Sequence, residues 1–433
     1  VLALLCVGFA ALGYAQGPKL SSAQVDRDRV VSASGQQLRL FANQPLAAVA
    51  ADDVSITPAA PFSVTTAGAV VAVQFDAPLL FEARYVVEVA GVVSRSGGQP
   101  STLRYEFTTG ATPLYYLDRG EATDEIVRTG IRSNERTVVY SAPRIQDFAL
   151  IGTGAAVTTE LPDGTSGLSV VDFADGGVEP ITLPTPGTIA NLQAADDGST
   201  IGYVFTGADG ATVDTLMTID LARGRTVAPV TGLDGTPLQV TEWLFVPGGV
   251  TLVAHRADEQ LLLIDTATGI ATPLGAFAAL DSISTDGSRL GVTNPFGPVA
   301  LSISELTETE FAPSPIDGET PYPGEFQLMR AGRLVQHIVQ VDYETDDFDN
   351  LLVVDDGETS REIYRTIDDR GSIGDFRVFP NDQIVAVEVV PVVETAVSDG
   401  YVVDPRATSI STVFVDIGSG AIVKSVAGFG LQW

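Results

Sequence analysis

Five acidic residues crowd one short stretch of the 433-residue chain: Asp342, Glu344, Asp346, Asp347 and Asp349. Carboxylates at this density are the donors calcium selects, because it takes about six to eight oxygen ligands. The stretch lacks the glycine and the spaced terminal glutamate of a calcium loop. It therefore reads first as a solvated hairpin tip, and these five residues are the metal candidate that remains. His255 and His337 are the only histidines. Neither has Asp, Glu or Cys at ligand spacing, so both read as side chains packed within strands. Trp243, Tyr322 and Phe326 are aromatics that could line a pocket, and core packing is the simpler expectation. No HExxH, G-x-S-x-G or phosphate-cradling Gly-Lys motif occurs. The segment Ser284-Thr285-Asp286-Gly287 lacks the Gly and Trp of a sialidase-type turn. Paired carboxylates from distant segments leave no local mark, so chemistry of the glycosidase type stays open. No cofactor is expected, calcium at those five residues excepted.

The elements that carry these residues repeat. From about Leu114 onward, a short β-prone run ends in Asp and is followed by a Gly turn. Copies end at Asp118, Asp172, Asp220, Asp265, Asp355 and Asp416, and a degenerate copy, Leu301-Ser302-Ile303-Ser304, lacks the Asp. The mean spacing is about 50 residues, and periods of about 40–50 residues built from strands point to propeller blades. Within each unit a run precedes a turn such as Asp197-Gly198, Pro247-Gly248 or Asp286-Gly287. A second run, the Asp-ended run and a fourth run containing Thr and Pro follow. Four strands per unit, repeated radially, bury both faces of each sheet. The aspartates are expected to accept backbone N–H bonds across their turns.

The clearest copy is Leu261-Leu262-Leu263-Ile264-Asp265-Thr266-Ala267-Thr268-Gly269. This segment and the Asp-Gly turns resemble the WD-like and TolB-like β-propeller families. The resemblance implies a propeller over residues 113–433 and says little about activity. Seven blades are expected, with six as the alternative. The seventh would form by joining Phe429-Gly430-Leu431-Gln432-Trp433 to the strands around Asp118, closing the ring.

Residues 20–110 read differently. Short alternating runs at Gln37–Phe41, Asp53–Thr57, Val70–Phe75, Arg84–Val89 and Arg104–Thr108 are separated by turn residues such as Ser34-Gly35 and Ser96-Gly97-Gly98. This spacing predicts a β-sandwich. The order LRLFANQPL, DVSITPAAPFSV, VVAVQF, RYVVEVAGVVSRSGG and RYEFTTG resembles the bacterial Ig-like domain of surface and secreted proteins. Ser94 stands where that family often has Asp. The resemblance implies a spacer or display module.

Residues 1–15, VLALLCVGFAALGYA, form an uncharged apolar run. Gly13-Tyr14-Ala15 fits a signal-peptidase site, and a truncated membrane anchor is the alternative. Cys6 sits inside the apolar core of this run and is the only cysteine, which excludes an intramolecular disulfide framework. The 24 Lys and Arg stand against 55 Asp and Glu, a net charge of −31. Such a chain repels phosphate backbones and anionic membrane surfaces and favours cationic partners. The expectation is an all-β, monomeric, extracytoplasmic protein, secreted or cell-envelope associated. In it an Ig-like spacer presents a propeller that binds a protein or cell-envelope ligand. An extracytoplasmic hydrolase or lyase for glycans or peptides is the alternative.

Overall fold

Two kinds of apolar pattern separate the chain into two kinds of sheet. In the strand Gln37–Ala42 only Leu38, Leu40 and Ala42 are buried, so one face meets a core and the other meets solvent. In Thr251–His255 and Gln260–Asp265 consecutive residues are buried, among them Leu252, Val253, Ala254, Leu261 and Leu262. Strands of the second kind must be covered on both faces. The structure, a computed structural model, describes residues 17–311, 314–316, 324–342, 347–366 and 370–433. It divides into two compact units, Val1–Thr112 and Pro113–Trp433.

The first unit holds a four-stranded sheet and a three-stranded one. The four-stranded sheet runs in the order Leu20–Gln24, Gln37–Ala42, Val70–Phe75, Phe62–Ala67. The other runs Val54–Thr57, Arg84–Val92, Ser101–Thr108. Phe75 and Phe107, one from each sheet, meet with ring centroids 6.5 Å apart. All five expected strands are present. Leu20–Gln24 and Phe62–Ala67 are additional; both are edge strands with no fully buried residue, so their alternation is muted. A single helical turn, Arg29–Ser32, inserts Val30 and Val31 into the core.

Among the described residues, the second unit holds seven four-stranded antiparallel sheets. Six of them follow the chain, each running from a first strand outward to a fourth. The remaining sheet, first in chain order, places Phe429–Gln432 beside Pro113–Asp118, then Asp124–Gly130 and Thr137–Ala142. The end of the sequence thus supplies the innermost strand of a sheet whose other strands come 300 residues earlier, as the closure argument expects. The fourth strands carry Pro180, Pro229 and Pro273, which cannot donate to a further strand and so blunt the exposed edges.

Polar side chains, most of them on inner strands, clasp each sheet to the next. Asp147 Oδ2 accepts from Leu192 N at 3.3 Å, and Gln193 Nε2 donates to the Trp243 carbonyl at 2.9 Å. Glu242 Oε2 accepts from Leu280 N at 2.9 Å, Ser282 Oγ from Leu328 N at 3.4 Å, and Gln327 Oε1 from Val378 N at 2.7 Å. Arg377 Nη1 donates to the Leu431 carbonyl at 3.1 Å, and Glu388 Oε1 accepts from Gly430 N at 2.8 Å. Arg119 Nη2 completes the circuit by donating to the Gln146 carbonyl at 2.7 Å. Among the described residues the second unit is a β-propeller of seven four-stranded sheets whose last joins its first.

Register corrects two details of the repeat. Asp172, Asp220, Asp265, Asp355 and Asp416 end third strands, each opposite the start of a second strand. Asp118 instead ends a second strand and pairs with Arg136. In the degenerate copy the equivalent residue is Ser302, not Ser304, because Ser302 faces Arg289. The aspartates do cap their turns: Asp265 Oδ1 accepts from Ala267 N at 2.9 Å, and Asp416 Oδ1 from Ser419 N at 2.8 Å.

Candidate functional site

The first strand of each sheet faces the propeller axis, and seven of them leave a space that backbone alone does not fill. These strands are Ile145–Ile151, Gly187–Ala194, Glu242–Phe245, Ala279–Ile283, Phe326–Leu328, Ser372–Val378 and Phe429–Gln432. Bulges interrupt the pairing at Ile145/Asp147, Ala190/Gln193, Leu280/Ser282 and Ile373/Phe376. A bulge adds a residue and re-aims its neighbours. The bulged positions bring Gln146, Asn191, Asp281 and Asp375 to the wall of an axial cavity of about 870 Å³.

The wall is acidic. Asp147, Glu242, Asp281, Glu325, Asp375 and Asp404 line it, against Arg377 and Arg406. Both arginines are already engaged. Arg377 bonds the Leu431 carbonyl, and Arg406 pairs with Glu388 at 3.3 Å and Asp404 at 2.9 Å. Burial raises the Asp147 carboxyl, and the nearby Asp404 adds to this. The N–H groups of Phe148 and Leu192 and the Arg119 charge pull it back, leaving it pushed up to about 7. Burial likewise raises Asp281, with Glu242 and Glu325 adding like charge while the Thr293 hydroxyl opposes. Glu388 is raised by burial and by Asp375, with Arg406 opposing.

Gln146 is the odd member. It is 3% exposed and lines the cavity, yet neither its Nε2 nor its Oε1 has a partner among the described residues. A buried amide left without partners costs about 1–3 kcal/mol, so this position carries a cost the folded ring does not recover.

One segment from outside the sheets reaches the cavity. Residues 391–410 connect the second and third strands of the seventh sheet and bring Val403, Asp404 and Arg406 to the wall. Tyr401 anchors this strap. Its ring lies between the guanidinium groups of Arg119 and Arg144, 3.7 and 3.9 Å away, and its hydroxyl donates to the buried Asp124. Val402 N donates to Glu160 Oε2 at 2.7 Å, and Arg119 forms an ion pair with Asp399 whose side chains are 5% and 9% exposed. The strap thereby links the seventh sheet to the first and second.

The residues singled out from sequence lie elsewhere, with one exception. Asp342 and Asp347 face each other across the hairpin Leu334–Asp342 and Asp347–Asp355. Glu344 and Asp346 lie outside the described residues, and Asp349 pairs with Arg365. Among the described residues no three His, Cys, Asp or Glu side chains converge to hold a metal ion. His255 is buried, with Nδ1 accepting from the Thr241 hydroxyl at 2.7 Å and Nε2 donating to the Phe277 carbonyl at 2.8 Å. His337 Nε2 bonds Asn350 Oδ1 at 2.9 Å. These bonds give both histidines a role within their strands. Trp243 packs in the core, edge-on to Phe245 at 5.2 Å; Tyr322 lies outside the described residues. Phe326 is the exception: it packs edge-on to Phe311 at 4.8 Å and also reaches the cavity wall.

The cavity residues themselves went unnoticed in the sequence. A signal was present: the first strand of each repeat carries a polar residue amid apolar ones, as at Gln146-Asp147, Gln193, Glu242, Asp281-Ser282, Gln327 and Asp375. Aligning the repeats on their first strands, not on the Asp-ended third strands, exposes it.

No known protein family matches the chain, and no curated protein does. Solved structures similar to it include the β-propeller domain of the trilobed protease from Pyrococcus furiosus, at 10% identity over 78% of this chain and 91% of that chain, with a TM-score of 0.46. Oligogalacturonate lyase in complex with manganese is similar at 11% identity over 89% of this chain and 98% of that chain, with a TM-score of 0.48. TolB from Acinetobacter baumannii is similar at 14% identity over 73% of this chain and 80% of that chain, with a TM-score of 0.38. Likenesses of this size carry no argument about activity, and the ring rests on the strand pairings above.

Proposed function

We propose that the protein is an extracytoplasmic recognition module, secreted or held at the cell envelope, in which an Ig-like spacer carries a seven-bladed propeller that binds its ligand at the axial cavity. The observation that carries this reading is the acidic cavity itself. Six carboxylates from separate sheets and the strap line one space inside the ring. Concave, largely preformed sites with a few convergent polar groups are the usual places for ligands. The net charge of −31 favours a cationic partner. A chain with no cysteine beyond Cys6 suits an oxidising exterior. Two sheets meeting through Phe75 and Phe107, with the five runs of the Ig-like pattern in order, support the spacer reading.

The test is capture from cell-envelope fractions by the full chain, compared with a Glu325→Gln/Asp404→Asn variant. Both side chains are exposed in the cavity wall, and a melting curve of the variant, which also loses the Asp404–Arg406 pair, checks that the fold is kept. A component held by the wild type and lost by the variant supports recognition at the cavity. Equal capture by both overturns it.

A second reading, a hydrolase or lyase acting on glycans or peptides, has one specific observation in its favour. Asp147 is pushed up to about 7 with Asp404 nearby, a state suited to general acid–base work. Turnover of an envelope glycan or peptide that disappears in Asp147→Asn supports this reading; binding without turnover returns the first.

A further inference from the structure

The acidic wall, the engaged arginines and the unpartnered Gln146 amide together say more about the ligand than its sign. We propose that the cavity takes an extended organic cation carrying at least two ammonium groups, one end seated at Gln146, Asp147 and Asp404 and the other among Glu242, Asp281 and Glu325. This inference rests on the recognition reading above and names its ligand class.

The charge balance comes first. Arg406 pairs with Asp404 and Glu388 and Arg377 bonds a carbonyl, so neither neutralises the other five wall carboxylates. Five of the six wall carboxylates fall into two groups, with Asp375 of the seventh sheet outside both. Asp147 feels the charge of Asp404, whereas Asp281 feels Glu242 and Glu325. One group belongs to the second sheet and the strap, the other to the fourth, fifth and sixth sheets. Among the described residues no three ligating side chains converge on a point, so one compact ion does not match the pattern. Two cationic groups joined by an aliphatic chain do.

Gln146 supplies the independent pointer to a ligand. Its amide is buried, presents both a donor and an acceptor, and has no partner among the described residues. An ammonium group donates to its Oε1, while Nε2 remains for a lone pair on the ligand or on a carried water. Carboxylates on the same wall accept the other ammonium hydrogens in charge-assisted bonds. A purely structural Gln146 would be bonded to the backbone, as Gln193 and Gln327 are on other inner strands.

The experiment is titration calorimetry of the full chain at low salt with three probes: spermidine, fully acetylated spermidine and trilysine. Saturable binding of spermidine or trilysine, but not of the acetylated compound, is expected. The tighter of the two identifies a free polyamine or a lysine-rich peptide as the source of the ammonium groups. Glu325→Gln and Asp404→Asn should each weaken binding about tenfold, and raised salt should weaken it further. Gln146→Met should raise the melting temperature of the free protein while weakening binding, because it removes an unpaired amide that serves only the ligand. Equal binding of the acetylated compound overturns the ligand class, as does a Gln146→Met variant that melts lower and binds unchanged. If no ammonium probe binds but envelope capture still depends on Glu325 and Asp404, the ligand class falls and the recognition site stands. If capture is also indifferent to them, both fall.

Discussion

At the scale of single residues, the channel wall holds carboxyl groups in conditions they would not choose in water. Asp147 is the clearest case. Its ordinary value is 3.8 and burial pushes it up to about 7. Between these values the unfolded chain gives up the proton and the folded chain keeps it. The folded state therefore binds more protons, and this group's contribution to stability falls as pH rises from about 4 to about 7. Below that window the group is neutral in both states and contributes nothing. Asp147→Asn should consequently gain on the wild type as pH is raised from 4.5 to 8, by at most about 4 kcal/mol. Melting curves of both proteins across that range check it; a constant difference would show that Asp147 is not held protonated. The capping aspartates behave in the opposite sense where bonds reach them. Asp234, with the Thr236 N–H and hydroxyl, lies below its ordinary value, and so does Asp197, with Ser199. These turn carboxylates were legible in the sequence because each acts on residues two or three positions away. Asp147 was not legible, because its partner is Leu192, 45 residues on.

At the scale of elements, the sheets pack so closely that a methyl group is felt. A Cβ added at Gly202 would stand 2.5 Å from Trp243 Cη2, in the next sheet. Gly202→Ala should cost about 1–3 kcal/mol, by overpacking, measurable by denaturant unfolding. The strap makes a second test. Arg119→Ala leaves the buried Asp399 carboxylate with backbone N–H donors but no cationic partner, and breaking such a pair costs about 3–5 kcal/mol. Tyr401→Phe removes one hydrogen bond to a buried carboxylate while preserving the stack between two guanidinium groups, so it should cost less. If Arg119→Ala melts like the wild type, the strap is not fastened as described. The strap itself had no periodic signature. Residues 391–410 contain Pro, Ser, Asp and Gly in an order that reads as a long loop, and what pins it is a set of contacts to residues more than 240 positions away.

At the scale of the whole molecule, the closing strand decides whether seven sheets form a ring or a stack. Phe429 and Leu431 are buried, Gly428 sits where a Cβ would meet the Leu117 carbonyl oxygen at 2.4 Å, and Lys424 Nζ donates to Thr129, Gly130 and Ser133 across the seam. Deleting residues 427–433 should lower the melting temperature sharply and broaden the transition, since the first sheet loses its inner strand and the seventh its neighbour. An unchanged melting curve would contradict closure. The same deletion removes Phe429, Gly430 and Gln432 from the cavity wall, so ligand binding should be lost with it.

Local pattern alone determined most of the strands, though not the edge strands Leu20–Gln24 and Phe62–Ala67, and with them the units of about 50 residues, the capped turns and the change of sheet type near residue 113. Each of those depends on residues within a few positions of one another, where alternation, Gly and Asp act directly on the backbone. Even the closing strand could be inferred, because an unpaired run at one end matched a sheet lacking its inner strand at the other. The cavity was decided only by the tertiary structure. Gln146, Asp281, Glu325 and Asp404 belong to four different parts of the chain, and only an alignment of the first strands of the repeats marks out Gln146 and Asp281. Closing the ring brings them to one axis, and bulges turn two of them, Gln146 and Asp281, inward. Burial there raises the Asp281 carboxyl and leaves one amide, that of Gln146, waiting for a partner.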